Sequence, residues 1–150
     1  MVVCLLGQLS RKKFGQNQRS IFSFLSSAEP YAFKDFINST PYSKDTMYSL
    51  SNLFDYIKTN LESLIATSSD SKIWHIAMEA IHKIAARNFT EQHLEVLKSI
   101  VMIDIFSGSS GLVASKELLG TLFPNTKSLN KIIKDLESAS VILYKAHKGA

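Results

Sequence analysis

The stretch MYSLSNLFDYIKTNLESLI, residues 47–65, decides the fold class. Its apolar residues Met47, Leu50, Leu53, Phe54, Ile57, Leu61, Leu64 and Ile65 recur with the period of one face of an α-helix. A half-buried strand would alternate at every second residue, and this stretch does not. It reads as a long amphipathic helix that begins at Asp45 or Thr46 and lays its stripe on a core.

The same period continues downstream. Residues 67–71 are polar and break the pattern. Asp70 or Ser71 then caps a helix with Ile73, Trp74, Ala77, Ala80, Ile81 and Ile84 inward, ending near Asn88. Thr90 starts another, over residues 90–106, with Leu94, Leu97, Ile100, Val101, Ile103 and Ile105 on its apolar face. The residue three after Thr90 is His93 rather than Glu or Gln, so the capping box reads as incomplete. Residues 107–111, Ser-Gly-Ser-Ser-Gly, read as a flexible loop. A short helix from Ser115 is stopped by Pro124. Thr126 or Ser128 caps a further helix with Leu129, Ile132, Ile133 and Leu136 inward. Val141, Ile142, Leu143 and Tyr144 are β-branched or aromatic and read as a strand that the chain end leaves without a partner.

Upstream, residues 2–14 read as a helix with apolar residues early and basic residues late, closed by Gly15. Its apolar start, without a polar lead-in, is expected of a chain that begins inside an element. Asn17 caps a second helix bearing Ile21, Phe22, Phe24 and Leu25. Pro30 suits the first position of a third, with Phe33, Phe36 and Ile37 buried. The expected fold is all-α: a helical bundle followed by a winged-helix-like domain with a small, truncated β element. The boundary is expected at the polar break, giving a helical lid-like subdomain over 1–67 and a helix plus winged-helix-like subdomain over 68–150.

Composition narrows the function classes. Hydrophobic residues make up 45% and charged residues 20%, ordinary for a folded domain. Cys4 is the one cysteine, so neither an internal disulfide nor a Cys-based zinc site is available. The apolar opening is too short for a signal peptide or a membrane span, and a cytoplasmic location is expected. The 17 Lys and Arg exceed the 13 Asp and Glu by four. Arg11, Lys12, Lys13 and Arg19 all precede the first acid, Glu29, so the whole excess sits in one short segment, which reads either as a solvated helix end or as a site for phosphate or an acidic partner.

No catalytic motif stands out. The glycines at 108 and 111 lack the Lys-Ser/Thr pair of a phosphate-binding loop, and the serines around them lack the spacing of a hydrolase elbow. His75, Glu79 and His82 share a helical face, but their spacing is not that of a zinc protease, and a solvated polar face is the simpler reading. Cys4 lies in an apolar run and reads as a small core residue. The aromatics Phe22, Phe24, Tyr31, Phe33 and Phe36 follow helical spacing and read as packing rather than as a base-stacking platform. No metal ligand set and no catalytic residue is assigned.

The densest polar signal is Phe14-Gly15-Gln16-Asn17-Gln18-Arg19-Ser20-Ile21-Phe22-Ser23-Phe24-Leu25, directly after the basic run. With the preceding Leu6-Gly7-Gln8-Leu9-Ser10-Arg11-Lys12-Lys13, it resembles a segment of large prokaryotic P-loop ATPases of the AAA and STAND type, several of them associated with antiphage defence. Gln18 stands where that family carries Glu. The resemblance implies that helical and winged-helix segments follow a nucleotide-binding core. ATP and Mg would belong to that core; this chain carries no ATP-binding motif and is expected to hold no cofactor and to be no enzyme. By the same resemblance Arg19 would reach a nucleotide phosphate, with Arg11, Lys12 and Lys13 supporting it or contacting the core.

The expected function is a non-catalytic lid and relay module of a larger P-loop ATPase, with the ATPase core as partner in cis or trans. The alternative is a stand-alone winged-helix regulator that binds DNA. There Lys127, Lys131 and Lys134 would line the exposed face of the last helix, with Asp135 and Glu137 partly cancelling them.

Overall fold

The computed structural model describes Val2 and residues 21–142, and every structural statement here is made of those residues. They form an all-α fold of seven helices and no strand: α1 Ile21–Ser26, α2 Phe33–Ser39, α3 Leu50–Ala66, α4 Ser71–Ala85, α5 Glu91–Ser110, α6 Lys116–Leu122 and α7 Thr126–Ser138. No helix among them is long and apolar enough to cross a membrane.

The stripe of α3 is buried as its spacing requires. Leu50, Leu53, Phe54, Tyr56, Ile57, Leu61 and Ile65 all enter the core. The helix starts later than expected, however. Ser49 is the N-cap: its hydroxyl accepts from the Asn52 N–H at 3.2 Å, and Asn52 Oδ1 accepts from the Ser49 N–H at 2.9 Å. This reciprocal pair satisfies two backbone donors that a start at Thr46 would leave open. Thr46 is used instead in a turn, its hydroxyl 2.6 Å from that of Ser43. Met47 falls outside the helix and is 80% exposed.

The third expected helix also shifts. Pro30 lies in a turn, Tyr31 takes a left-handed φ of 63°, and the Asp35 carboxylate accepts the Tyr31 N–H at 2.9 Å. The helix therefore opens at Phe33. Phe33 and Phe36 join Phe24 and Tyr48 in an aromatic cluster with ring centroids 5.3–6.5 Å apart. Ile37, expected inside, is 57% exposed, because the seven-residue α2 is covered along its aromatic edge only.

The polar break is a tight turn that closes α3. The hydroxyls of Thr67 and Ser68 donate back to the carbonyls of Leu64 and Ile65 at 3.0 and 2.8 Å. α4 then doubles back, and Trp74 stacks on Phe54 at 5.2 Å while its Nε1 donates to Glu62. Trp74, Ala77, Ile81 and Ile84 are buried; Ile73, expected inward, is 46% exposed.

α5 is the axis of the molecule. It packs against α3, α4 and α7. Val96, Leu97, Val101, Met102, Ile103, Ile105 and Phe106 are therefore buried around most of its circumference. The ammonium of Lys98 meets both oxygens of Asp55 at 2.9 and 3.0 Å, tying α5 to α3. The supposed loop at 107–111 is helix as far as Ser110. Ser107 and Ser110 donate to the carbonyls of Asp104 and Phe106 at 2.8 Å, and Gly111 ends the helix in the left-handed region with φ 69°.

α6 is capped by Ser115 and α7 by Asn125, whose side chain accepts the Ser128 N–H at 3.2 Å; neither Thr126 nor Ser128 is the cap. Beyond α7, Val141 and Ile142 belong to no strand and pack against the core. The rest of the expected strand, Leu143 and Tyr144, lies outside the described residues, as does the helix expected over 2–14 apart from Val2.

Candidate functional site

The residues that carry the sequence resemblance, Arg11, Lys12, Lys13 and Arg19, lie outside the described residues. What the structure does place are two features beside α5: a lysine face on α7 and an apolar cleft between α4, α5 and α6.

α7 is sharply two-sided. Leu129, Ile132, Ile133 and Leu136 are buried, while Lys127, Asn130, Lys131 and Lys134 are exposed. The three lysines stand at i, i+4 and i+7 and so share one face. Three residues, Phe123, Pro124 and Asn125, separate α6 from α7, the spacing of a helix-turn-helix.

Asp135, four residues after Lys131, stands at the edge of that face. Its carboxylate lies 3.0 Å from His93 Nε2, across from α5. His93 is 8% exposed, sits edge-on to Phe89 at 4.9 Å, and turns its Nδ1 to the N–H and hydroxyl of Thr90 at 3.3 and 2.7 Å. A neutral imidazole protonated on Nε2 satisfies every contact: it donates to Asp135 and accepts the Thr90 N–H. The ring thus stands in for the missing Glu of the capping box and pins the start of α5 to α7. The sequence reading missed this pair, whose partners are 42 residues apart. The one local signal was a histidine at the third helical position after a Thr cap.

The cleft encloses about 700 Å³. Ala77, Ala80, Leu97, Ile100, Leu119 and Ile133 line its apolar walls. Ile73, Ile76 and Val113 border it and are 46%, 57% and 70% exposed. Asp104, Ser115 and Lys116 are its polar members. Burial against these walls raises the Asp104 carboxyl above the ordinary aspartate range. No cation or hydrogen-bond donor among the described residues engages that carboxylate, whereas Lys116 has an interaction of its own. The sequence reading passed over Asp104, although it is the one charge in the apolar run Ile100 to Phe106.

The remaining candidates resolve into structural roles. His75 and Glu79 form an exposed pair at 3.3 Å, and no group of three His, Cys, Asp or Glu that could hold a metal occurs among the described residues. Of the aromatics, Phe24, Phe33 and Phe36 pack on Tyr48, which fixes them away from any base. The Tyr48 hydroxyl donates to the Tyr31 carbonyl at 2.6 Å, and burial, then the neighbouring Tyr56, Asp55 and Asp35, push its pKa far up.

Compared with protein-family models, curated proteins and solved structures, the chain matches none of them.

Proposed function

We propose that this chain is a non-catalytic binding module built on a helix-turn-helix, and that it works as the lid and relay part of a larger cytoplasmic P-loop ATPase of the AAA or STAND type. In this reading Arg19 senses the nucleotide phosphate, Arg11, Lys12 and Lys13 contact the ATPase core, and the helices pass nucleotide state to sensor or effector parts. The observation that carries it is the order α5–α6–α7: a long central helix, a short helix, a three-residue turn and an amphipathic helix. That order suits the winged-helix segment which the resemblance of residues 6–25 implies next to a nucleotide-binding core. A central helix such as α5, packed against α3, α4 and α7, suits a relay, since packed helices transmit displacement rather than absorb it. The test is an Arg19→Ala variant of the intact ATPase. Lower ATP turnover in a protein that still folds is expected; wild-type turnover would sink the assignment.

A second reading, a winged-helix regulator that binds DNA, is favoured by one observation. Lys127, Lys131 and Lys134 share an exposed face on α7. Each lysine that meets a phosphate adds about one unit to the slope of log affinity against log salt. Binding to a random duplex that weakens with salt, and whose slope falls when the three lysines become Gln, supports this reading. A folded chain that binds no duplex at low salt removes it.

A further inference from the structure

We propose that the cleft between α4, α5 and α6 binds a small amphiphilic cation, an aliphatic body with a single protonated amine that pairs with Asp104. This inference is independent of the reading of the chain as an ATPase module. Its first support is size. About 700 Å³ lies within the range of roughly 300–1,000 Å³ that small-molecule sites occupy. Its second is the wall chemistry. Alanines at 77 and 80 on α4 leave room where larger side chains would fill it, and Leu97, Ile100, Leu119 and Ile133 supply apolar surface behind them. Ile73, Ile76 and Val113 at the mouth are exposed large apolar groups that an aliphatic chain would cover.

The third support sets the sign of the charge. Asp104 is carried by α5 on the lining itself, with no ion pair or side-chain hydrogen bond among the described residues. A carboxylate beside apolar walls has lost part of its hydration without gaining a partner, and a cation placed against it restores what was lost. The attraction is stronger at such a site than in open water, because the surrounding dielectric is lower. Lys116 is the one cation on the lining among the described residues, and it has an interaction of its own.

Decylammonium, decanoate and decanol, each below its aggregation limit, serve as probes at neutral pH in isothermal titration calorimetry. Decylammonium is expected to bind at least about tenfold more tightly than either of the others. Asp104→Asn, a change of nearly equal shape at an exposed position, is expected to abolish that preference and leave decanol binding unchanged. The Asp104 carboxyl, followed by NMR, is expected to titrate at lower pH once decylammonium is bound. The proposal is overturned if no probe binds the folded chain, if decanoate or decanol binds as tightly as decylammonium, or if the preference survives Asp104→Asn.

Discussion

Asp104 and His93 show how one side chain takes opposite roles according to what faces it. Partial desolvation without a partner raises the Asp104 carboxyl, so its ionised form opposes folding. A group raised in the fold favours the native state while protonated. That contribution is complete below the unfolded value of 3.8 and is lost as pH rises through the higher folded value. Asp104→Asn is therefore expected to raise the melting temperature at pH 7 and to lose that advantage near pH 3; melting curves across this range check it. His93 is the reverse case, buried with both ring nitrogens engaged. His93→Ala leaves the Thr90 N–H without its acceptor and Asp135 without its donor, and is expected to cost about 2 kcal/mol in urea unfolding. A loss below a few tenths would mean that the imidazole does not pin α5 to α7. Neither role was legible locally. Asp104 could be picked out as a lone charge in an apolar run, but whether a partner reached it depended on α4 and α6.

At the scale of the element, periodicity located the helices and capping chemistry fixed their ends. The stripes of α3 and α7 were legible because three or four residues in every two turns point the same way and find a core. Ile37 and Ile73 were misplaced for a common reason: spacing tells which side chains share a face, not whether another element covers it; Met47 was misplaced because the Ser49 cap starts the helix after it. The end of α5 was misread because Ser and Gly argue for a loop, yet the hydroxyls of Ser107 and Ser110 bond back to the helix and carry it to Gly111. The two glycines now have opposite duties. Gly108 is inside the helix with nothing within 4 Å of an added Cβ, so Gly108→Ala is expected to stabilise by about 0.5–1 kcal/mol. Gly111 holds φ 69°, so Gly111→Ala is expected to cost about 1–2 kcal/mol. Chemical denaturation of both variants checks the helix boundary, and equal effects would contradict it. Likewise Ser49→Ala is expected to cost about 1 kcal/mol through the lost cap of α3.

At the scale of the whole molecule, α5 joins the two features that bear on function. Its apolar circumference receives α3, α4 and α7. All-α class was legible from residues 47–65 alone. The cleft was not, since its walls come from segments up to 69 residues apart in the chain, Ile73 and Ile142 at the extremes. The lysine face was legible as a spacing, but the contact of Asp135 with His93 required the fold. The same lysines separate the two functional readings: neutralising Lys127, Lys131 and Lys134 is expected to abolish duplex binding by a DNA regulator and to leave nucleotide hydrolysis by an ATPase module largely intact. The relay reading stands or falls with the basic segment ahead of α1. Its most direct test is the steady-state rate of ATP hydrolysis by the intact protein that carries this chain, wild type against Arg19→Ala. The account predicts hydrolysis by the wild type and a fall of about a hundredfold in the variant, the scale of one lost charge-stabilising donor, with the helical content unchanged. An intact protein that hydrolyses no nucleotide, or a variant that turns over at the wild-type rate, would contradict it.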